Sequence, residues 1–372
     1  MRNPFKPSFG ATPPLLVGRQ DLIDTFVEGL ESGPGALERA TLYMGLRGSG
    51  KTALLNAVQD EARQRGWLVV AETATPGFVA RITNEHLPSL LAQHDPKAIR
   101  RHLSGISLPG TRGGATWTTE DLHRAVPSLR NQLALLADVL AEHETGVLIS
   151  LDEVHRRQVI DEMRELATTI QHAFREDREV AFVGAGLPES VSDLLEDDVL
   201  TFLRRADRHH LGAVDADEVR RALRDPIAEQ DRSVADDVLD VMVEGTAGYP
   251  FLIQLVGSRV FAAHPKVRGI TMEDAIQGVE SAHRRMGSLV HEPSLADTSS
   301  IGRSFLIAMA RDDGPSSMGD IAERLGVDAN YASQYRLRLI AAELITPAGY
   351  GKVDFALPYL REYLRGHVAS TM

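Results

Sequence analysis

Residues 45–52 read Gly45-Leu46-Arg47-Gly48-Ser49-Gly50-Lys51-Thr52, and this stretch gives the strongest indication of the fold. It matches the pattern G-x-x-x-x-G-K-[ST] at every fixed position. An aliphatic β-rich run, Thr41–Met44, precedes it, and a helical stretch, Ala53–Gln64, follows it. Glycines let the backbone turn its N–H groups toward phosphate oxygens, and the helix N-terminus adds a partial positive charge. The sequence therefore predicts a strand, a phosphate-binding loop and a helix, with a chance glycine-rich turn as the alternative.

The two residues that end this pattern have distinct chemical roles. The Lys51 ammonium is expected to reach the β- and γ-phosphates of a nucleotide, where it assists phosphoryl transfer, and the Thr52 hydroxyl is expected to bind Mg²⁺. We predict ATP or ADP with Mg²⁺ as the cofactor, held by contacts from Gly45, Arg47, Gly48, Ser49, Gly50, Lys51, Thr52 and Ala53.

A second signal lies about 100 residues further on, where the aliphatic run Val147–Leu151 ends in Asp152-Glu153. Ligands of α/β proteins bind at the carboxyl ends of parallel strands. We expect Asp152 to hold Mg²⁺ through water and Glu153 to orient the attacking water as the catalytic residue. A strand followed by an acidic helix cap is the alternative interpretation.

The surrounding pattern predicts an α/β parallel-sheet core. Short aliphatic runs alternate with helical stretches from Val17 to Leu211, as in a sheet with helices on both faces. The other runs are Trp67–Glu72 and Glu179–Val183, and a proline-rich stretch, residues 76–117, is predicted to be an insertion or surface hairpin.

An all-α region is predicted to follow the core. Apolar spacing of three and four predicts helices at Ala235–Glu244, Phe251–Phe261 and Met272–His283. Asp215 with Glu218 and Thr271 with Asp274 are each spaced as a capping box. Residues 287–300 are expected to be a linker. The predicted domains are an ATPase core (1–212), a helical lid (213–290) and a winged-helix domain (297–372).

The last region predicts three helices, a hairpin and a final helix, which is the order of a winged helix. Its third helix is predicted to expose polar side chains that can contact double-stranded DNA, namely Asn330, Ser333, Gln334, Arg336 and Arg338. Lys352 in the wing can touch the DNA backbone. The region 301–372 carries eight Lys or Arg against eight Asp or Glu, which weakens the case for DNA and leaves a protein-contact role open.

The phosphate loop, the Asp-Glu strand end, the helical region and the winged-helix pattern together resemble AAA+/STAND-class P-loop (ASCE-type) ATPases, in particular bacterial AAA-family proteins related to archaeal origin-recognition ATPases. Val17-Gly18-Arg19 resembles the family's Gly-Arg box, and Gly248-Tyr249-Pro250 resembles its G-x-P motif. The resemblance implies that Arg19 lies near adenine and ribose and that Pro250 meets the nucleotide. Gly184 and Ala185 stand where many members carry a polar sensor, which favours a switch over a processive motor.

The resemblance also implies an arginine finger that acts on a neighbouring subunit of a homo-oligomer. Arg204, Arg205 and Arg208 lie in the matching stretch, and Arg205 is our catalytic candidate. A solvated basic face, or local pairing with Asp207, is an equal alternative. His155, His209 and His210 lack the spacing of metal ligands.

Composition excludes several function classes. The chain has 372 residues, no cysteine and a formal net charge of -12. Disulfides and thiol catalysis are excluded, and so is general polyanion binding. No apolar run approaches the length of a membrane span, so we expect a cytoplasmic protein without membrane contact.

Two functions from different classes therefore stay open. One is a slow ATP-hydrolysing switch that couples nucleotide state to conformation or oligomerisation. The other is an ATP-licensed, initiator-like or regulatory DNA-binding protein. A nucleotide-binding scaffold without turnover is a third possibility, which the presence of Glu153 opposes and the absence of polar sensors favours.

Overall fold

The computed structural model describes residues 2–8, 10, 12–94, 128–154, 157–188, 191, 201–265, 267–296 and 298–368. The chain forms two compact units. The sheet unit comprises Asp21–Met44 and Leu54–His210, and the lid unit comprises Met1–Gln20, Gly45–Ala53 and Leu211–Met372. Each unit has its own hydrophobic core. No helix among these described residues is long and apolar enough to cross a bilayer.

The described residues of the sheet unit form five parallel strands in the order β2-β3-β4-β1-β5. The strands are β1 (Ala40–Met44), β2 (Leu68–Thr73), β3 (Val147–Asp152), β4 (Val180–Gly186) and β5 (Asp207–His210). Every residue of β1 and β4 is buried, as expected for strands covered on both faces. The predicted parallel α/β core is confirmed.

Two details of the sheet differ from the sequence prediction. The strand β5 was not predicted because its sequence, Asp-Arg-His-His, is polar; it lies at the sheet edge and alternates half-buried with exposed residues. Gly184 and Ala185 lie inside β4 and do not follow it. A Cβ on Gly184 would come 2.9 Å from the Leu42 side chain, so close strand packing explains this glycine.

Helices of the first half of the chain are α1 (Gln20–Glu31), α2 (Lys51–Gln64), α3 (Phe78–Arg81), α4 (Leu87–His94), α5 (Leu129–Ala141) and α6 (Ile160–Arg175). A π-helical turn, Ile82–His86, joins α3 to α4. The predicted insertion is therefore helical over 78–94, because Phe78, Leu87 and Leu91 supply a buried face. The rest of the predicted insertion, 95–117, lies outside the described residues.

The lid contains four helices, α7 (Ala216–Ala228), α8 (Asp236–Thr246), α9 (Pro250–Ala263) and α10 (Met272–Met286), and the short parallel pair β6 (Ser233–Val234) and β7 (Gly269–Ile270). The Thr271–Asp274 capping box is confirmed. The one predicted at Asp215 is wrong, because Asp215 accepts from the Asp217 amide while the Glu218 carboxylate accepts from Gly18 N at 3.3 Å.

The predicted linker at 287–300 is wrong over its described residues up to 296. The chain continues from α10 through a π-helical turn, Gly287–His291, into α11 (Glu292–Ala296). His291 is 1% exposed, and its Nε2 lies 3.0 Å from the Pro358 carbonyl oxygen. Burial of this residue and of Val290 keeps the segment helical although its polar residues break the period.

The C-terminal part of the lid unit, residues 298–368, is called the C-terminal unit below. It follows the predicted order of elements. They are α12 (Ser300–Met309), β8 (Ser316–Ser317), α13 (Met318–Leu325), α14 (Ala329–Ala341), β9 (Ile345–Pro347), β10 (Lys352–Phe355) and α15 (Leu360–Val368). The strands form an antiparallel sheet in the order β8-β10-β9, and β8 is an addition to the prediction. Gly326 ends α13 in a left-handed conformation, with φ of 65°. Asp328 caps α14 through the Tyr331 amide, as predicted.

Candidate nucleotide site

The phosphate loop, Gly45–Thr52, follows β1 directly and ends in the first turn of α2. Gly48 and Gly50 have φ values of 77° and 90°, which side chains disfavour. Gly45 is required for a different reason: a Cβ there would lie 2.5 Å from Ser49 Oγ and 3.2 Å from the Leu211 carbonyl oxygen. The three glycines therefore permit a tight turn whose backbone amides can face an anion.

The polar groups of the loop fit a phosphate ligand. Lys51 Nζ donates to the carbonyl oxygens of Gly45 at 2.5 Å and Leu46 at 2.9 Å, so the ammonium group lies against the phosphate loop. Ser49 is 4% exposed, and no described group forms a hydrogen bond with its buried Oγ. A buried hydroxyl of this kind can donate to a phosphate oxygen. These features support the predicted cofactor.

Tyr249, just before α9, and the first two residues of α9 lie against the phosphate loop. The Tyr249 hydroxyl donates to the Arg47 carbonyl oxygen, and the Phe251 amide donates to the Gly48 carbonyl oxygen at 3.2 Å. A Cβ on Gly50 would lie 3.6 Å from the Pro250 Cβ. The predicted G-x-P residues therefore lie against the loop, and Pro250 occupies the first position of α9, where a missing amide costs nothing.

Arg19 lies in the lid unit, as the phosphate loop does. It is 9% exposed, and its guanidinium donates to the carbonyl oxygens of Gly212 at 2.6 Å and Gly18 at 3.0 Å. Burial lowers the pKa of this guanidinium from its usual value. Gly18 packs against Val214, whose amide donates to the Gly248 carbonyl oxygen at 2.8 Å. The Gly-Arg box and the G-x-P turn thus share one structural neighbour.

In the sheet unit, β3 ends at Asp152, whose carbonyl oxygen accepts from the Ala74 amide at 2.9 Å. The next residue, Glu153, has a left-handed φ of 57°. Its amide donates to Asp152 Oδ1 at 2.8 Å. Both residues are half-buried. The strand end therefore carries two adjacent carboxylates, and the second belongs to a residue in a sparsely populated backbone conformation, a kind of strain that occurs at functional sites.

The strand order aligns the two predicted motifs within the sheet. β1 and β3 are parallel, and β4 lies between them. Their carboxyl ends consequently point to the same edge of the sheet. The strand that leads into the phosphate loop thus ends at the same edge as the strand that ends in Asp152, which is where α/β proteins bind ligands.

Magnesium would need few protein ligands here. Among the described residues, no group of three or more His, Asp or Glu side chains is arranged to hold a metal. Mg²⁺ usually takes one or two protein oxygens, and water and substrate phosphates supply the rest. The Thr52 hydroxyl in the lid unit and the Asp152 carboxylate in the sheet unit are each of a chemical type that Mg²⁺ accepts.

Arg205 lies away from the edge of the sheet that carries Asp152. It ends the 3₁₀ turn Thr201–Arg205 and precedes β5, so it lies at the amino end of that strand. Arg204, Arg205 and Arg208 are all exposed. Of the predicted histidines, His209 Nε2 lies 2.7 Å from Asp207 Oδ2 in a structural pair, and His155 lies outside the described residues.

The sequence prediction missed the contact of Tyr249 with the phosphate loop. Its side chain is 6% exposed, and burial raises the pKa of the hydroxyl well above its usual value, with a smaller effect from the Glu343 charge. The signal was present in the sequence, since an aromatic residue with a hydroxyl stands between the glycine and the proline of the G-x-P motif. Only the fold shows which carbonyl oxygen that hydroxyl meets.

Comparisons with known proteins concern the family and the fold. Residues 15–183 match the family model of the AAA ATPase domain, and residues 288–364 match that of a domain of unknown function (DUF8462). A search of curated proteins finds no match to the chain.

Two solved structures illustrate the shared fold. The Walker-type ATPase PABY2304 of Pyrococcus abyssi has a TM-score of 0.64 and 17% identity, with 94% of this chain and 96% of that chain covered. The ORC2 protein of Aeropyrum pernix, solved as ADPNP-ADP complexes, has a TM-score of 0.59 and 15% identity, with 98% of each chain covered.

A phosphate loop after β1, an Asp-Glu pair after β3 and one strand between them define a P-loop ATPase of the ASCE type. The family match over residues 15–183 and the fold shared with an archaeal origin-recognition protein support the predicted class, an AAA+ P-loop ATPase.

Proposed function

We propose that this ATPase is a nucleotide-dependent switch whose lid responds to the nucleotide held by the phosphate loop. One observation carries the proposal: the loop and the turn before α9 are joined by the Tyr249–Arg47 and Phe251–Gly48 hydrogen bonds. A ligand that reorients the loop must therefore act on the first turn of a lid helix. The change is then passed to a helix whose opposite side is packed in the lid core.

The predicted charged and hydroxyl side chains of the two motifs have distinct tasks in this proposal. Lys51 counters the negative charge of the β- and γ-phosphates, while Thr52 and Asp152 hold Mg²⁺. Glu153 accepts a hydrogen bond from the attacking water and orients it. Bound ATP with Mg²⁺ supplies the phosphoryl group that is transferred. Arg47, exposed at the outer side of the loop, and Ala53, in the first turn of α2, are proposed as further contacts.

Slow hydrolysis follows from the composition of β4. Gly184 and Ala185 carry no polar side chain that could sense the γ-phosphate. Electrostatic stabilisation of the transition state is then left to fewer groups, and such stabilisation is a large part of phosphoryl-transfer catalysis. A long-lived ATP state suits a switch better than a processive motor.

Arg205 is proposed to complete the site of a neighbouring copy. It is exposed and lies at the amino end of β5, opposite the edge at which Asp152 lies. An arginine that stabilises the charge of a transferring phosphoryl group raises the rate strongly. The proposal therefore includes a homo-oligomer in which Arg205 serves its neighbour.

Titration calorimetry tests the binding step. ATP with Mg²⁺ is titrated into the wild type and into Lys51→Ala, with Lys352→Ala as the control because Lys352 is an exposed lysine in the C-terminal unit. We expect a loss of ATP affinity of at least ten-fold for Lys51→Ala alone. Equal affinity in the wild type and in Lys51→Ala would refute the site.

Double-stranded DNA is a second candidate ligand, favoured by the exposed side of α14. Asn330, Ser333, Gln334 and Arg338 are exposed there, and Lys352 is exposed on β10. The prediction for Arg336 is wrong, because this side chain is only half-exposed and its Nε is buried without a described hydrogen-bond partner. DNA binding, if licensed by ATP, would use Arg338 and Lys352 for the phosphates.

Fluorescence anisotropy with a DNA duplex tests this candidate across salt concentrations, with ATP and with ADP. Each phosphate contact contributes about 0.9 to the slope of log affinity against log salt. We expect an Arg338→Ala, Lys352→Ala double variant to reduce the slope by about two. Absence of binding at low salt in both nucleotide states would leave the C-terminal unit with a protein-contact role.

A further inference from the structure

Tyr249 fixes the orientation of a peptide group in the phosphate loop. Its hydroxyl donates to the Arg47 carbonyl oxygen. The peptide bond is planar and trans, so the C=O of Arg47 and the N–H of Gly48 point in opposite directions. Fixing the carbonyl therefore also fixes the direction of the Gly48 amide, one of the donors that a phosphate loop offers to its ligand.

The fit between the two residues leaves no room for a larger side chain. A Cβ on Gly48 would lie 2.3 Å from the Tyr249 hydroxyl oxygen. The next peptide group is held as well, because the Gly48 carbonyl oxygen accepts from the Phe251 amide at 3.2 Å. Two successive peptide planes of the loop thus take their orientation from residues of the lid.

The C-terminal unit supports the segment that carries Tyr249. α8 ends four residues before Pro250, and two side chains contact carbonyl oxygens near its end. The Tyr359 hydroxyl donates to the Glu244 carbonyl oxygen at 3.0 Å, and His283 Nε2 lies 2.7 Å from the Gly245 carbonyl oxygen. The rings of Tyr359 and His283 are in contact, with centroids 3.7 Å apart.

A second residue of the C-terminal unit acts on Tyr249 through its charge. Glu343 follows α14, is 7% exposed, and has a left-handed φ of 57°. Its charge acts on the Tyr249 hydroxyl. The C-terminal unit therefore contacts the end of α8 through Tyr359, just before the turn that carries Tyr249.

We propose that Tyr249 is a positioning residue of the ATPase site, and that the C-terminal unit holds it in place through Tyr359. The inference rests on the proposed function, since it concerns nucleotide held by the phosphate loop. It adds a route by which a partner of the C-terminal unit changes nucleotide affinity without touching the nucleotide. Such coupling is reciprocal, so nucleotide also changes the affinity for that partner.

The test is the affinity for fluorescent mant-ATP, together with the steady-state KM and kcat, in Tyr249→Phe. This change removes the hydroxyl and keeps the ring. We expect the dissociation constant and KM to rise about five-fold, the effect of one neutral hydrogen bond, while kcat stays within two-fold. Tyr43→Phe is the matched control, since Tyr43 is fully buried and its hydroxyl also donates to a backbone carbonyl oxygen, that of Leu22 at 3.4 Å.

The route through the C-terminal unit is tested by Tyr359→Phe, alone and combined with Tyr249→Phe. We expect about a two-fold loss of affinity alone and no further loss in the double variant, because both changes disturb one structural element. Additive losses would overturn the role of Tyr359. An unchanged dissociation constant in Tyr249→Phe, or a loss as large in Tyr43→Phe, would overturn the role of Tyr249.

Lys51→Ala separates this inference from the proposed function. If the wild type binds mant-ATP and Lys51→Ala does not, the site stands and the tyrosine variants decide the inference. If the wild type and Lys51→Ala bind equally, the proposed site itself is wrong.

Discussion

Glu153 is a non-glycine residue with a left-handed backbone conformation, which its side chain disfavours. A left-handed φ of 57° for a non-glycine residue costs of order 1–3 kcal/mol, and surrounding contacts must maintain it. Here the Asp152 carboxylate accepts from the Glu153 amide, and the Val154 amide donates to the Ala185 carbonyl oxygen at 3.0 Å. The neighbouring contacts thus hold the glutamate at the end of β3 in one orientation.

This geometry predicts the behaviour of Glu153→Gln. The amide keeps the shape of the side chain but accepts a hydrogen bond from water less strongly. We expect ATP affinity to change by less than three-fold and phosphate release to fall by about 100-fold or more. Release is measured with a coupled phosphate assay under saturating ATP.

Glu144→Gln is the matched control for that variant. Glu144 has a φ of 54° but is exposed in the turn after α5. Its turnover should equal that of the wild type. Equal turnover in Glu153→Gln as well would remove Glu153 from the catalytic machinery.

At the scale of single residues, the sequence predicts those side chains whose type and spacing are dictated by the chemistry of the site. Lys51, Thr52, Asp152 and Glu153 follow from motifs in which phosphate and metal chemistry dictate the residue types. Contacts between residues distant in sequence do not follow. Arg39, for example, is 2% exposed and pairs with Glu179 at 2.5 Å, and no local pattern marks that ion pair.

The π-helical turn Gly287–His291 is the element that sequence patterns describe worst. Polar residues interrupt the apolar period there, which is typical of a linker, yet the backbone stays helical because His291 and Val290 are buried. The His291 ring also meets Tyr363 of α15 edge-on, with centroids 5.2 Å apart. Long-range packing thus overrides the local pattern, whereas the amphipathic lid helices, whose burial follows their own period, were predicted well.

The buried histidine predicts a pH dependence of stability. Burial lowers the pKa of His291 from 6.5 to about 4, and the nearby His283 contributes in the same direction. Above pH 6.5 the ring is neutral in both the folded and unfolded states. Between pH 6.5 and 4 the unfolded chain takes up a proton that the folded chain does not, so this contribution to stability is lost as the pH falls.

Thermal unfolding at pH 7.5 and pH 5 measures that loss. We expect a lower Tm at pH 5, with this single site contributing at most about 1.4 kcal/mol per pH unit. His291→Phe should reduce the difference in Tm between the two pH values, and the exposed His143→Gln should keep it. Asp312 does not interfere, because its ion pair with Arg324 lowers the pKa of that carboxyl to about 2. The same pH difference in His291→Phe as in the wild type would contradict this origin.

At the scale of the whole molecule, the position of Arg205 predicts activity that depends on assembly. If Arg205 completes the site of a neighbour, the specific ATPase activity should rise with protein concentration. Mixing Arg205→Ala with Lys51→Ala should restore part of the turnover, since one subunit offers an intact site and the other an intact arginine. Arg311→Ala, a change at another exposed arginine, is the control. Activity that is independent of concentration, without rescue on mixing, would assign Arg205 to a solvated face.

The proposed nucleotide-dependent switch depends on the hydrogen bonds between the phosphate loop and the lid. Hydrogen–deuterium exchange of the segment 244–256, with and without ATP and Mg²⁺, tests this link most directly. We expect amide protection at Tyr249–Phe251 to change when ATP is added to the wild type, and to stay the same in Lys51→Ala. Binding of ATP by the wild type with unaltered exchange throughout 244–256 would contradict it.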